Sequence, residues 1–333
     1  MLNDGNAAGL LRSGDSSGLE QLFNQGQYEQ CLNLAEKQGG ELLNDYLERY
    51  TKKLLHNGEY KKTAVVFSKY QCPVSNPLLP IYKTLALEIL AGSKDDEIIV
   101  LREVLTRLCD NLALNFEETH PIFREFYEYS FITHLLQVKG ECARSPQLQR
   151  VYMKQCVSLL RYTKIVRADK AFLDAANACK QEGVNNMAFV FYNRYLDLSE
   201  AIEDPNSANI DNAEFDATDI PSPYDIPLPE TNLTTEDQRE EIRDWVLTIQ
   251  MDDKVKKTLS MRNEGGKPVY EASLISPHSS NVCAPCIISG YPLLRENVIT
   301  CKFCGKGAIR DDWNDYVEVT QQCPWCKTIQ TTY

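Results

Sequence analysis

From about residue 17 to residue 200, apolar residues recur three and four apart, and Glu, Lys, Leu, Ala and Tyr dominate. That spacing predicts helix after helix, each with one apolar face. No stretch of any length alternates with the period of two that a half-buried strand needs. Pro73, Pro77, Pro80, Pro121 and Pro146 fall where helices are expected to join, since proline lacks the amide that continues a helix. A weak repeat runs through the pattern. Gly26-Gln27-Tyr28 precedes Cys31-Leu32 and Ala35; Gly58-Glu59-Tyr60 precedes Ala64 and Phe67; Ala175, Ala178 and Gly183 precede Ala188, Tyr192 and Tyr195. At each place a helix ends near a glycine, which tolerates positive φ, and a new helix begins with a small residue facing its neighbour.

This is the logic of tetratricopeptide-like (TPR) hairpins stacked as a solenoid; a non-repeating helical domain is the alternative. The string Phe123, Phe126, Tyr127, Tyr129 and Phe131 reads as core at helical spacing, ahead of a concave binding face.

From Ala201 the helical pattern breaks. Residues 201–233 carry Pro205, Pro221, Pro223, Pro227 and Pro229 among many acids, so they form extended chain. Phe215, Ile220, Tyr224, Ile226 and Leu228 argue that parts of this connector dock, because a solvated linker seldom keeps such residues. Over residues 234–269 a helix opens at Thr234-Thr235-Glu236-Asp237, with a capping threonine and acids at its positive end. Ile242, Trp245, Val246 and Ile249 are its apolar stripe.

Charge alters the picture in one place. The chain of 333 residues carries a net charge of −12. Fifteen acidic residues and only Arg239 and Arg243 as basic ones lie between Asp197 and Asp244, a net of −13, so the rest is close to neutral. No Lys/Arg cluster marks a phosphate-binding face, which argues against nucleic-acid partners. No apolar run of about 18 residues exists, so no membrane insertion is expected. Met1-Leu2-Asn3-Asp4-Gly5 lacks the basic-then-apolar layout of a secretion signal, and a cytosolic protein is expected.

Cysteine divides the chain. Cys31, Cys72, Cys109, Cys142, Cys156 and Cys179 stand singly and read as small buried core residues. Over residues 270–333 the other six form three C-x-x-C pairs: Cys283/Cys286, Cys301/Cys304 and Cys323/Cys326. A C-x-x-C turn presents two thiolates to one ion, and two such turns make a tetrahedral sulfur site suited to zinc. Cys301, Cys304, Cys323 and Cys326, 18 residues apart between the pairs, are the expected ligands of one zinc ion. Six cysteines do not complete two sites, so Cys283 and Cys286 are either spare, or competing ligands, or part of a rearranged site. His278 reads as a loop residue. A closed four-sulfur site has no open position for water, so catalysis by the metal is not expected.

Several segments resemble a known family. Tyr270-Glu271-Ala272-Ser273-Leu274, Cys286-Ile287-Ile288-Ser289-Gly290-Tyr291-Pro292-Leu293-Leu294-Arg295, Gly305-Lys306 and Asp312-Trp313-Asn314 are similar to the C-terminal end of the large-subunit family of intraflagellar transport complex B. The Pro-rich stretch from Asp219 to Glu230 and the Trp245-Val246-Leu247 helix are similar as well. The resemblance implies a scaffold or adaptor of ciliary transport trains, at the cytosolic side of cilium, flagellum and basal body, with other transport subunits as partners.

The terminal module also resembles a U-box, the hydrogen-bonded relative of the RING domain. That resemblance implies binding of ubiquitin or a ubiquitin-conjugating enzyme in a groove formed by Ile288, Trp313 and Pro324, with 311–317 as the central helix and Lys327 after the last ligand. A ubiquitin ligase is the alternative reading, as is a purely structural zinc-stabilised cap. A ligase of this kind would act by positioning a charged enzyme, not by side-chain chemistry. The expected fold is therefore mainly α: a TPR-like helical solenoid over residues 1–200, the connector, one helix, and a small α+β U-box/RING-like domain.

Overall fold

A computed structural model describes residues 17–206, 209–276 and 282–333, which leaves His278 outside the described residues. The chain is mainly helical and forms two compact units, one of residues up to 89 with 100–127, the other of 90–99 with 128 onward.

The first unit holds α1 (residues 17–24), α2 (Tyr28–Gln38), α3 (Gly40–His56), α4 (Tyr60–Lys69), most of α5 (Leu79–Gly92), the rear of α6 (Asp95–Ala113) and the front of α7 (Pro121–Cys142). Leu19, Leu32, Leu47 and Phe67 form its core, and the Phe67 and Tyr82 rings meet at 4.0 Å. The glycine repeat is visible in the backbone. Gly26, Gly58 and Gly183 have φ of +77°, +71° and +73°. The residue after each donates its N–H back five positions: Gln27 to Leu22, Glu59 to Leu54, Val184 to Cys179. This is the bond that closes a helix at a left-handed residue, so one short sequence rule builds the same joint three times.

The second unit contains α8 (Gln149–Leu159), α9 (Ala168–Gln181) and α10 (Asn185–Glu203) behind the rear of α7. Ala175, Ala178 and Ala188 are at most 2% exposed, which lets α9 and α10 approach closely. In the aromatic string of α7, Phe123, Phe126, Tyr129 and Phe131 are buried and Tyr127 is half-buried, as core residues should be.

The acidic connector is docked on α9 and α10. Ile210, Phe215, Ile220 and Ile226 are buried, while Tyr224 stays exposed. The Arg194 guanidinium lies 4.1 Å over the Phe215 ring and donates to Asn212 at 2.9 Å. Arg167 donates to the Thr231 carbonyl at 2.7 Å. Helix α11 (Glu236–Gln250) begins with a capping box between Thr235 and Gln238 and lays Trp245 edge-on against Tyr192.

Two short hairpins follow. β1 (Met261–Glu264) pairs with β2 (Lys267–Tyr270) through Gly265-Gly266, both at positive φ, the geometry that a two-residue hairpin turn demands. β3 (Val298–Thr300) pairs with β4 (Gly307–Ile309), and β4 runs directly into α12 (Arg310–Thr320). Trp313, Tyr316 and Val317 of α12 enter one apolar core with Val138 and Cys142 of α7, Leu148 and Val151. The end module therefore shares its core with the helices of the second unit. Among the described residues no helix is long and apolar enough to cross a membrane.

Candidate metal centre and the loop beside it

Three tight turns of the end module follow one backbone rule. Cys301 donates its N–H to Lys306 O at 3.0 Å, and Gly305 donates to Cys301 O at 2.9 Å. Cys323 and Lys327 repeat this with Thr328 O and Cys323 O, at 2.9 and 3.0 Å. Cys286 and Gly290 repeat it with Tyr291 O and Cys286 O, at 2.7 and 2.9 Å. The fifth residue of each turn, Gly290, Gly305 or Lys327, has φ of +74°, +69° or +60°. Such a turn points the side chains of its first and fourth residues the same way, as a C-x-x-C ligand pair requires.

In two turns those side chains are thiols. The sulfurs of Cys301, Cys304, Cys323 and Cys326 all lie within 4.8 Å of one another. Cys301 Sγ is 3.8 Å from Cys326 Sγ, and Cys304 Sγ is 3.9 Å from Cys323 Sγ. Four sulfurs at about 2.3 Å from a tetrahedral ion are about 3.8 Å apart. The distances fit that cage and are far too long for a disulfide, which needs about 2.05 Å. Burial raises the Cys304 thiol to about 11 and pushes Cys323 higher still. Cys326 falls to about 7: burial raises it, but the hydrogen bonds it takes from Thr328 and its neighbouring thiols outweigh that. Outer contacts steady the sulfurs, with Thr328 Oγ1 at 3.0 Å from Cys326 and Gln330 Nε2 at 3.6 Å from Cys301. The donor set fits a soft or borderline divalent ion held with no open position.

The third turn has Ser289 where the others have their second cysteine. Its hydroxyl donates to Asp312 Oδ2 at 2.5 Å, and Asp312 Oδ1 accepts from Lys154 Nζ of α8 at 2.6 Å. Cys286 Sγ accepts the amides of Ile288 and Ile309 at 3.4 and 3.3 Å. Burial raises the Cys286 thiol, and the Asp312 carboxylate raises it further. Cys283 lies outside the turn and is half-exposed. Among the described residues, the metal-type cluster contains neither Cys283 nor Cys286.

Helices hold this turn from outside. His134 Nε2 is 2.6 Å from Ile287 O, and because a carbonyl only accepts, that nitrogen carries the proton. Gln155 donates to Ile288 O at 2.8 Å, Ser158 to Ser289 O at 2.7 Å, and Arg161 to Gly290 O at 2.7 Å. Four consecutive carbonyls are thus each bound by a different side chain. The approach is close: a Cβ on Gly290 would lie 2.6 Å from Ser158 Cβ. Trp325, in the last metal-type turn, packs on the His134 ring at 4.6 Å. One histidine therefore touches both the metal-type turn and the first loop.

Of the three groove residues expected from the sequence, Ile288 and Trp313 are each 0% exposed and Pro324 is buried. Lys327 reaches Glu141 of α7 at 3.2 Å. His134, Gln155, Ser158, Arg161 and Lys154 are not singled out by the sequence, and Asp312 enters there only through the resemblance, without this role. The spacing of Gln155, Ser158 and Arg161, three apart on one helical face amid buried residues, was the available signal.

No family model matches the chain. Individual proteins do. Intraflagellar transport protein 172 homolog of Rattus norvegicus is 36% identical over 335 residues, covering 98% of this chain and 19% of that protein. Intraflagellar transport protein 172 of Chlamydomonas reinhardtii is 33% identical over 316 residues, 90% of this chain and 18% of its own length. Intraflagellar transport protein osm-1 of Caenorhabditis elegans is 31% identical over 289 residues, with 84% of this chain and 16% of its own length covered. The chain spans about a fifth of the length of the curated relatives it matches.

Proposed function

We propose, on the premise that this chain is homologous to a C-terminal part of intraflagellar transport protein 172, that it is a scaffold segment of ciliary transport trains. The observation that carries this reading is the extent of the match: 36% identity reaches across 98% of the chain, helices and end module together. The working location is the cytosolic side of the cilium or flagellum and its basal body. Other transport subunits are the partners, met through TPR-like helical surfaces. The end module is knit by one zinc ion on Cys301, Cys304, Cys323 and Cys326, which supplies structure and no reaction step. A chimera tests the reading: this segment replaces its counterpart in the resident protein of a ciliated cell. Restored cilium length is expected, and cells left without cilia despite normal chimera levels would reject it.

A second reading adds the ubiquitin system. It is favoured by the order of elements in the module: first turn, β3–β4 hairpin, α12, last turn, with the first and last turns on either side of the helix in sequence. A U-box presents two loops around a helix in that order. Ubiquitin or a conjugating enzyme would then meet Ile288, Trp313 and Pro324, and a ligase would need nothing more than that grip. Titrating the whole chain onto isotope-labelled ubiquitin, followed by NMR, reads the contact directly. Shifts confined to one ubiquitin face are expected, and an unchanged spectrum at high concentration with both the wild-type chain and Gly290→Ala, in which a Cβ would collide with Ser158, rejects ubiquitin itself as the ligand.

A further inference from the structure

We infer that α8 and its flanks are a built-in competitor for the first loop of the end module, so that the groove residue Ile288 is offered to a partner only after that loop is released. The inference concerns regulation of the groove and rests, for its partner, on the ubiquitin reading above.

The geometry is that of a recognised peptide rather than of an incidental contact. Ile287, Ile288, Ser289 and Gly290 each give their carbonyl to one donor, in order, from His134, Gln155, Ser158 and Arg161. Side chains that read successive carbonyls hold an extended or turning segment whatever its own side chains are, as sheet edges do. The close seat at Gly290 completes the fit, because any Cβ there would collide with Ser158. Arg161 reaches further, donating to Ala272 O and to Asp219 Oδ2, so the same residue ties the loop to the connector and to the β-hairpin segment.

The consequence is steric. Ile288 is fully buried, and its carbonyl is already bound. A protein that needs the loop must therefore displace the helical donors. The loop's ties to the helices are of two kinds: side-chain hydrogen bonds to its carbonyls, which water can replace, and burial of Cys286, Ile287 and Ile288 in the apolar core that α12 shares with Val138, Cys142, Leu148 and Val151, so release must expose those three side chains. Local opening of such a segment lies below global unfolding in free energy. The metal-type turn helps to set the balance: Trp325 packs on His134, and His134 holds Ile287.

Cys286 makes the inference measurable. It is 0% exposed and lies outside the metal-type cluster, while Cys283, three residues away, is half-exposed and serves as the internal reference. In the full metal-loaded chain, iodoacetamide alkylation of each cysteine is followed by mass spectrometry, for the wild type, Gly290→Ala and the double variant Gln155→Ala/Ser158→Ala. We expect Cys286 alkylation to rise at least tenfold in both variants, with Cys283 unchanged and Cys156 and Cys179 still protected. An unchanged Cys286 rate in both variants overturns the inference. So does labelling of Cys156 and Cys179 in step with Cys286 in both, because the loop would then be part of the folding core.

The same three proteins are titrated with a ubiquitin-conjugating enzyme charged with ubiquitin. Binding at least tenfold tighter by the opened variants is expected, and equal affinity in all three overturns the competition. If Cys286 opens selectively and none of the three binds, the ubiquitin reading fails while release of the loop stands.

Discussion

The turn at Cys301 and the turn at Cys286 follow the same backbone path and are fixed by different means. At Cys301, two thiols converge with two more from Cys323 and Cys326 on a space the size of one ion. At Cys286, the position of the second thiol is Ser289, whose hydroxyl bonds Asp312, and helices supply four donors to the carbonyls outside. The lesson is that this turn needs an external tether, because so few residues cannot bury enough to hold it. A metal ion on the four sulfurs would tether it from within the module, although Cys301 and Cys323 also lie in the apolar core with Val138 and Cys142. Hydrogen bonds from a neighbouring layer tether it only where that layer is present. With a metal bound, the first turn would depend on the helices more than the other two do.

The largest test of this contrast removes a ligand. Cys323→Ser takes one thiol from the cage at a fully buried position. A loss of more than about 4 kcal/mol is expected, together with the ion, since metal binding is folding free energy at such a site. Thermal unfolding with and without a chelator reads this, and a wild type indifferent to chelation would erase the distinction between the turns.

A smaller effect is expected on the hydrogen-bonded side. Lys154→Ala leaves the Asp312 carboxylate, 3% exposed, with the Ser289 hydroxyl and the weak Cys286 thiol but no positive charge beside it. Stranding a buried charge costs about 3 kcal/mol, and Asp312→Asn in the same chain should recover much of it. Chemical denaturation of the two single variants and the double variant measures the coupling. Additive losses would show that Lys154 does not steady the Cys286 turn through Asp312.

The smallest test compares like positions in the turns. Lys327 holds a left-handed φ that costs a residue with a Cβ about 1 kcal/mol, and glycine nothing. Lys327→Gly should thus stabilise by somewhat under 1 kcal/mol after the half-exposed ion pair with Glu141 is lost. Gly305→Ala, in the matching position with open space around it, should destabilise by about 1 kcal/mol. The two shifts should have opposite signs in thermal denaturation; equal signs would mean the turns are not equivalent.

Much of this was legible in the sequence. Gly26, Gly58 and Gly183 announced three joints, and the structure closes them with one bond pattern. Phe215, Ile220 and Ile226 announced that the connector docks, although Tyr224 among them stays out in solvent. The four-sulfur set was legible from pair spacing, and the structure brings those four thiols together. The Cys283/Cys286 pair was left open between a spare pair, competing ligands and a rearranged site, because spacing alone cannot tell a turn from a coincidence, and among the described residues the four-sulfur cluster forms without it. The discriminating feature is a left-handed residue four positions after the first cysteine, announced by glycine at Gly305 and Gly290 but carried by Lys327 after Cys323, where no residue type announces it. The tether of the first loop was out of reach. Its acceptors are backbone carbonyls, which no residue type announces, and its donors lie about 130 to 150 residues earlier in the chain.

Metal content with its ligand set tests the central contrast most directly. Elemental analysis of the purified chain should give one zinc per molecule. The ion should be retained in Cys283→Ala and lost in Cys326→Ala. Less than half an equivalent in the wild type, or loss of the ion in Cys283→Ala, would contradict the account.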